Sequence, residues 1–120
     1  MARILVADDD IDQVTLRKSL LETGGHQVDI ALCVQSTLLQ LEMGGTDLVI
    51  MDLRFPKTPD GLSLIRRIRE MGCLKPVIVL SGWPEDLYDQ PEESMVSRVM
   101  VKPVPMLELL EAVARLVPVS

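Results

Sequence analysis

The sequence is poor in the residue types on which several common functional sites depend. Its 120 residues include one histidine, His26, and only three aromatic residues. A single histidine argues against a histidine-based zinc site and against a Ser-His-Asp triad. The formal net charge is -6, and the basic residues are scattered except for Arg66, Arg67 and Arg69, which we interpret as one solvated helix face. Without a basic stripe or stacking aromatics, the sequence predicts no direct binding of nucleic acid.

Long apolar runs are also absent. No stretch approaches the roughly 20 apolar residues that a membrane-spanning helix needs, so no membrane insertion is expected. The first apolar run, Ile4 to Ala7, is far shorter than the core of a signal peptide and leads directly into acidic residues. The two cysteines, Cys33 and Cys73, are isolated in the sequence. We therefore expect a cytoplasmic protein whose two thiols are reduced.

The remaining composition is typical of an ordinary globular domain. Hydrophobic residues make up 48% of the chain and charged residues 25%, a balance that argues against disorder. A chain of this length buries about two thirds of the surface that its unfolded form exposes, which is enough for one core. The sequence contains no internal repeat, linker or low-complexity segment. We therefore expect a single domain over residues 1–120.

Short apolar runs alternate with segments of helical period. Several runs are continuously apolar and rich in Val and Ile, as strands that are covered on both faces must be. The predicted strands are Arg3 to Ala7, Gln27 to Leu32, Asp47 to Met51, Val77 to Leu80 and Val99 to Val101. This alternation predicts an α/β fold with a parallel sheet, right-handed crossovers and helices on both faces.

Four of the intervening segments carry apolar residues at helical spacing. The predicted buried faces are Ile11, Val14 and Leu21; Val34, Leu38 and Leu41; Leu62, Ile65 and Ile68; and Leu107, Leu110, Ala114 and Val117. Glycines end the first three segments, as they commonly end helices, and Pro105 suits the first turn of the last. The fourth crossover lacks such a face and contains Pro84 and Pro91, so we expect a short or distorted helix there.

Polar side chains follow four of the predicted strands at the point where each strand ends. Asp8 and Asp9 follow the first strand, Asp52 the third, Ser81 the fourth and Lys102 the fifth. The carboxyl ends of parallel strands meet at one edge of a sheet, where open α/β folds bind ligands. Carboxylates are the ligands that Mg²⁺ prefers, and an ammonium group can pair with a phosphoryl oxygen. The pattern therefore predicts a site for a divalent cation and a phosphoryl group.

Each of these motifs has a structural explanation when it is taken alone. We expect Asp10 to cap the first helix and Asp12 to be an acid of its first turn. Ser81 could belong to an ordinary turn, and Lys102 could be a solvated lysine after a strand. Asp52 is harder to explain in this way because an uncompensated buried carboxylate is costly. The joint occurrence of the motifs, in this order, favours a functional site.

As a set, the motifs resemble the receiver domain of two-component response regulators, in its chemotaxis-regulator-like form. The resemblance covers the whole chain and rests on ILVADDD, LVIMDLRFP with DG following, VIVLSG, and VMVKP before the final amphipathic segment. It implies a flavodoxin-like (βα)5 fold with strand order 2-1-3-4-5. It also implies phosphorelay signalling, in which a sensor histidine kinase or a histidine phosphotransfer protein charges the domain. Such a domain acts on a downstream protein target and turns over no external substrate.

The resemblance implies roles for the acidic residues. Asp52 would be the phosphoacceptor nucleophile. Mg²⁺ would be held by Asp9 directly, by Asp8 largely through water, by Asp52, and by the backbone carbonyl of Arg54.

The resemblance also implies roles for the residues around the phosphate. Ser81 would hydrogen-bond one phosphoryl oxygen, and Lys102 would pair with another. Pro103 would follow a cis peptide bond that turns the chain and aims the lysine inward. Arg54 and Trp83 occupy positions at which family members tune hydrolysis of the acyl phosphate. They could restrict the attacking water or simply point to solvent.

Other interpretations remain open at this point. Val99 stands where most members carry Tyr or Phe, which favours an interaction module that works without phosphorylation, although all five site residues are intact. A phosphatase of the haloacid dehalogenase type also uses a strand-end Asp with Mg²⁺. That class requires a second Asp two residues on, where Arg54 stands. A flavodoxin-like electron carrier would need a phosphate-cradling loop after the first strand, where three aspartates stand.

Overall fold

Five strands alternate with four α-helices in a computed structural model that describes residues 2–117. The strands are β1 (Arg3–Ala7), β2 (Gln27–Ala31), β3 (Leu48–Asp52), β4 (Val77–Ser81) and β5 (Arg98–Val101), and the helices are α1 (Ile11–Thr23), α2 (Val34–Met43), α3 (Thr58–Glu70) and α4 (Met106–Leu116). Residue 1 and residues 118–120 of the predicted domain lie outside the described residues. Across residues 2–117, no helix combines the length and apolarity needed to cross a membrane.

The strands form one parallel sheet of order β2-β1-β3-β4-β5. In register, Ile4 of β1 lies opposite Val28 of β2 on one side and Leu48 of β3 on the other. The chain thus begins near the middle of the sheet, adds β2 on one side and then crosses to the other side for β3. The predicted strand order and the parallel arrangement are confirmed.

Helices cover both faces of this sheet because its strands are apolar on both faces. Every residue of β4 is buried, as are the first four residues of β3. Alternate residues of β1 enter different cores: Ile4 and Val6 pack with α1 and α4, whereas Leu5 and Ala7 pack with α2 and α3. This arrangement confirms the predicted two-sided coverage and explains why the strands lack polar alternation.

Helix α1 begins as the acidic residues predict. The Asp10 carboxylate accepts hydrogen bonds from the backbone N–H groups of Asp12 and Gln13, which caps the helix. Val14 and Leu21 are buried, but Ile11 is 52% exposed. The prediction that Ile11 faces the core was wrong because the first helical position lies at the rim, beyond the sheet that the following turns cover.

The buried face of α4 differs from the predicted one. Leu109, Ala112 and Val113 are buried, while Leu107 is 74% exposed and Ala114 is also exposed. Apolar residues occur almost all round this helix, so periodicity alone could not select the face that packs. Leu110, Leu116 and Val117 flank the buried face and are partly buried.

Helix α3 approaches the end of β3 so closely that only glycine fits at Gly61. A Cβ atom built there would lie 1.7 Å from the carbonyl oxygen of Leu53. Because α3 begins at Thr58, Gly61 belongs to the first turn of that helix. Glycine at position 61 therefore allows the first turn of α3 to lie directly against the backbone of Leu53, the residue after Asp52.

The fourth crossover is irregular, as its prolines predict. It forms two short 3-10 segments, Pro84–Asp86 and Pro91–Met95, with Leu87 fully buried between them. The Arg69 guanidinium of α3 holds the second segment through two hydrogen bonds, of 2.9 and 2.7 Å, to the Met95 carbonyl.

The interpretation of the arginine triplet as one solvated helix face holds for Arg66 and Arg67, which are exposed, but not for Arg69, which is half-buried. Arg69 also donates to the carbonyls of Cys73 and Lys75, and Arg66 pairs with the buried carboxylate of Glu92 at 3.1 Å. Two of the three arginines therefore attach α3 to neighbouring segments of the chain.

The turns from helices into strands lie at the end of the sheet away from the acidic cluster. Four glycines with positive φ lie in these turns, namely Gly25, Gly44, Gly45 and Gly72. They connect α1 to β2, α2 to β3 and α3 to β4. Glycine adopts this conformation without the steric cost that other residues pay.

Candidate functional site

The structure brings the five predicted polar side chains to one edge of the sheet. Asp8 and Asp9 follow β1, Asp52 and Ser81 are the last residues of β3 and β4, and Lys102 follows β5. These four strands are consecutive neighbours in the sheet, and all point the same way. The site is therefore built by the shared direction of the strands rather than by any one loop.

Asp52 is engaged at both carboxylate oxygens. Its Oδ2 accepts a hydrogen bond from the Lys102 ammonium at 2.6 Å, and its Oδ1 accepts one from the Arg54 backbone N–H at 3.2 Å. Its side chain is 13% exposed, so it is sheltered yet open to a reactant. The peptide bond between Lys102 and Pro103 is cis, as expected.

Asp8 lies buried beneath this surface and is also engaged at both oxygens. Its Oδ1 accepts the backbone N–H of Asp10 at 3.0 Å. Its Oδ2 forms a 2.8 Å ion pair with Arg17 of α1, and the two side chains are only 2% and 11% exposed. Arg17 was not predicted as a site residue because the helical pattern of α1 gives no sign that this arginine turns toward Asp8.

The surroundings of Asp9 raise the pKa of its carboxyl group. Loss of hydration at the sheet edge raises the pKa of its carboxyl, although the residue as a whole is exposed. A hydrogen bond to its own backbone lowers that pKa, while the carboxylates of Asp8 and Asp52 raise it further. The upward shift indicates that a positive charge beside these acids would be favourable.

The donor set fits Mg²⁺ in its chemistry. Asp8, Asp9 and Asp52 offer the carboxylate oxygens that this hard cation prefers, and their mutual repulsion would be relieved by it. Nevertheless, residues 2–117 hold no group of three or more His, Cys, Asp or Glu side chains already arranged to bind a metal ion. In this arrangement Asp8 is paired with Arg17, and Asp52 is paired with Lys102.

Ser81 is buried and tied to the adjacent chain. Its Oγ accepts a hydrogen bond from the Trp83 backbone N–H at 2.9 Å, and its carbonyl accepts one from the Lys102 backbone N–H at 2.8 Å. The hydroxyl and the lysine are thus linked through the backbone at the ends of adjacent strands.

Arg54 and Trp83 form a contact beside the acidic residues. The guanidinium of Arg54 lies 3.9 Å from the centroid of the Trp83 ring. The same guanidinium donates to Asp86 Oδ2 at 3.0 and 3.2 Å, and the Thr58 hydroxyl donates to that oxygen at 3.1 Å. These contacts join the segment after β3 to the segment after β4. The two side chains contact each other, and both remain substantially exposed, Trp83 at 52% and Arg54 at 43%.

A cleft of about 730 Å³ opens at this edge. Polar residues of the site line it, including Asp52, Lys102 and Arg17, and so do Trp83 and the apolar Leu109 of α4. The Asp52 carboxylate is part of the cleft lining and can be reached by an external reactant from there.

Comparison with known protein families matches residues 4–114 to the response regulator receiver domain. The transcriptional regulatory protein DltR of Streptococcus agalactiae is 35% identical over 88 residues, which cover 73% of this chain and 38% of DltR. The virulence transcriptional regulatory protein PhoP of Salmonella typhimurium is 39% identical over 88 residues, covering 71% of this chain and 39% of PhoP. The chain thus matches little more than a third of the length of these curated relatives.

Solved structures agree with this match over nearly the whole chain. The response regulator TrrA of Thermotoga maritima, in complex with Mg²⁺ and BeF, superposes with a TM-score of 0.87 at 29% identity, covering 98% of this chain and 100% of TrrA. The receiver domain of the Francisella response regulator 1452 superposes with a TM-score of 0.82 at 27% identity, covering 97% of this chain and 96% of that domain.

Proposed function

This chain belongs to the response regulator receiver domain family of two-component systems, and on that basis we propose that it is an aspartyl-phosphate switch. It accepts a phosphoryl group on Asp52 from a sensor histidine kinase or a histidine phosphotransfer protein. The observation that carries the proposal is the 2.6 Å contact between the Asp52 carboxylate and the Lys102 ammonium. This contact lies at the cleft, and Asp8 and Asp9 supply two further carboxylates at the same edge of the sheet.

Asp52 supplies the nucleophile. One of its carboxylate oxygens forms a bond to phosphorus while the bond from phosphorus to the imidazole nitrogen of the donor histidine breaks. The electron pair of the broken bond leaves with the imidazole, which takes up a proton. The reaction passes through a loose, in-line transition state in which charge spreads over the equatorial oxygens. The protein must therefore align the two partners and stabilise that charge.

Lys102 and Ser81 act on the transferred group. Lys102, which pairs with Asp52 before the reaction, is positioned to neutralise one phosphoryl oxygen afterwards. The Ser81 hydroxyl binds a second oxygen, and the segment that contains Trp83 follows it because the two residues are hydrogen-bonded. A local electrostatic change thereby becomes a conformational one.

Mg²⁺ is the proposed cofactor. The side chains of Asp8, Asp9 and Asp52, with the backbone carbonyl of Arg54, would hold it. When bound, it supplies positive charge that screens the acids from an incoming phosphate and neutralises charge on a phosphoryl oxygen. The raised pKa of Asp9 supports this requirement for a cation.

Further parts of the proposal rest on the composition of the chain and on its family. Residues 1–120 form a single receiver domain in the cytoplasm that signals to a downstream protein target. The domain catalyses its own phosphorylation and dephosphorylation but turns over no external substrate, and it neither binds nucleic acid directly nor inserts into a membrane. Its net charge of -6 is consistent with the absence of a nucleic-acid interface.

A second candidate function is an interaction module that works without phosphorylation. It is favoured by Val99, which occupies β5 and packs into the core beside α2 and α3. A valine offers no ring that could move between buried and exposed positions on activation. The intact set of site residues makes the phosphorylated switch the stronger proposal.

Intact mass measured after incubation with Mg²⁺ and acetyl phosphate tests the proposed function. We expect one added phosphoryl group in the wild type and in Asp12→Asn, a control that removes an exposed acid of α1. The adduct should be absent in Asp52→Asn and in wild type treated with a chelator. Failure of the wild type to accept either phosphate or the acyl-phosphate mimic beryllofluoride would favour the second candidate.

A further inference from the structure

Arg17 is a cation placed inside the acidic cluster by the fold. Its guanidinium Nη1 lies 2.8 Å from Asp8 Oδ2, and its side chain is 11% exposed. Its Nη2 donates to Gln13 Oε1 at 3.3 Å, which orients the guanidinium from the same helix. Because both charged groups are almost excluded from water, salt screens this ion pair much less than a surface pair.

The Arg17–Asp8 ion pair makes the surroundings of a metal ion at this site less negative. Asp8, Asp9 and Asp52 together carry three negative charges when ionised, and Lys102 and Arg17 offset two of them. Both oxygens of Asp8 are already occupied, one by Arg17 and one by a backbone N–H. Asp8 and Asp52 are therefore each engaged in an ion pair with a basic side chain of this chain.

We propose that Arg17 is a built-in counter-ion that competes with the divalent cation for Asp8 and so sets the metal affinity of the site. This inference rests on the proposed function, because it concerns the cation that the phosphoacceptor site would bind. Metal binding either displaces the guanidinium from Asp8 or leaves a fixed positive charge beside the incoming ion. Both outcomes weaken metal binding relative to a site with a neutral residue at position 17.

The structural role of Arg17 is separable from this effect. A guanidinium that only stabilised α1 would reduce stability when removed, and it would not improve binding of a metal ion. A counter-ion that competes with the metal has the opposite signature, because its removal leaves Asp8 uncompensated and attractive to a cation. Tighter Mg²⁺ binding by a less stable variant therefore distinguishes the two roles.

The test is isothermal titration calorimetry of metal-free protein with Mg²⁺ at constant ionic strength. We expect Arg17→Gln to bind Mg²⁺ about tenfold more tightly than the wild type, as the loss of one nearby charge predicts. Arg17→Lys keeps the charge and should stay close to the wild-type affinity. Lys18→Gln removes a positive charge from the adjacent position, where Lys18 pairs with Glu22, and should change the affinity by less than about twofold.

A second measurement uses the wild type alone and does not depend on folding of a variant. Nitrogen-detected NMR of the arginine side chains should show the Arg17 guanidinium signals shifting as Mg²⁺ is added. The Mg²⁺ concentration at the midpoint of this shift should agree with the Kd measured by calorimetry. Arg67, an exposed arginine of α3, provides an internal reference whose signals should not shift.

The outcomes separate this inference from the proposed function. Wild type that binds Mg²⁺, with Arg17→Gln binding equally or more weakly, overturns the role of Arg17 and leaves the metal site standing. Unchanged Arg17 signals at saturating Mg²⁺ overturn it as well. If neither wild type nor Arg17→Gln binds Mg²⁺, the metal-dependent switch itself is overturned. Binding by Arg17→Gln alone would be the strongest support for the counter-ion.

Discussion

The guanidinium of Arg54 stacks on the ring of Trp83 at 3.9 Å from the ring centroid. Two hydrogen bonds to Asp86 fix the other side of this contact. The arginine therefore bridges the segment after β3 and the segment after β4 at the mouth of the cleft. A cation and an indole in this position would limit the approach of water to a phosphoryl group on Asp52.

Loss of this contact should shorten the lifetime of the phosphorylated state. Arg54→Ala and Trp83→Ala are each expected to speed phosphate release by about three- to tenfold, because water gains access to the acyl phosphate. Phosphate release is measured after charging with acetyl phosphate and removing the excess reagent. Tyr88→Ala, which removes a comparably exposed aromatic residue of the same crossover, is the control and should leave the rate unchanged. Equal lifetimes in all four proteins would refute the shielding.

Asp9→Asn should stabilise the metal-free protein at neutral pH. The raised pKa of Asp9 means that the folded state holds this proton more tightly than the unfolded chain does. The charged carboxylate therefore opposes folding above its folded pKa, and this penalty disappears as the pH falls below the ordinary value of 3.8. In a chelator at pH 7, we expect the Tm of Asp9→Asn to exceed that of wild type by about 1–3 °C.

Thermal unfolding followed by circular dichroism at several pH values tests both the direction of this change in Tm and the pH range in which it occurs. The gain in Tm should shrink as the pH approaches 3.8. Asp12→Asn supplies the control, because it removes a first-turn acid of α1 that interacts favourably with the helix dipole, and it should therefore give no gain. A gain for Asp9→Asn that grows on acidification would contradict the assignment.

Gly61→Ala should be strongly destabilising. The added Cβ would lie 1.7 Å from the Leu53 carbonyl oxygen, so the backbone of α3 or of the segment after β3 must move. We expect the free energy of unfolding in urea to fall by about 2–4 kcal/mol. Gly82→Ala, whose Cβ would meet no atom within 4 Å, should change it by less than about 0.5 kcal/mol. Equal stability of the two variants would show that α3 adjusts without cost.

Arg69→Gln should loosen the fourth crossover. The substitution removes donors from the carbonyls of Met95, Cys73 and Lys75, and we expect a loss of about 2–3 kcal/mol in urea unfolding. Arg67→Gln, at an exposed position of the same helix, should cost less than about 0.5 kcal/mol. Hydrogen exchange offers a local check, since the amides of residues 91–97 should exchange faster in Arg69→Gln only. Uniformly faster exchange across the sheet would contradict an effect confined to this segment.

The strands and the site edge could be predicted because they follow from local patterns. Continuous apolar runs such as VIVL indicate buried parallel strands, and the residue that ends each run must lie at the sheet's carboxyl edge. Asp52 and Ser81 could therefore be placed near each other without knowledge of any contact. The irregular fourth crossover could also be predicted from the sequence, because Pro84 and Pro91 restrict the backbone locally.

Contacts between distant segments could not be predicted in this way. The helical pattern contains nothing that aims Arg17 at Asp8, because the ion pair depends on where α1 crosses the strand ends. The bridge between Arg54 and Asp86 spans 32 positions and depends on the path of the fourth crossover. The packed face of α4 was misjudged because Leu107 and Leu109 are equally apolar, and only packing against the sheet and α1 decides which one is buried.

The glycines with positive φ lie in turns at the opposite end of the sheet from every residue of the proposed site. One end of the molecule thus contains the tight reversals that the chain needs to return to the sheet, and the other end contains the reactive groups. Turn lengths at the first end can diverge without shifting a reactive group, whereas a one-residue slip of a strand would turn its terminal side chain to the other face. The two ends of the same five strands are thus occupied by different kinds of residue, turn-forming glycines at one end and charged side chains at the other.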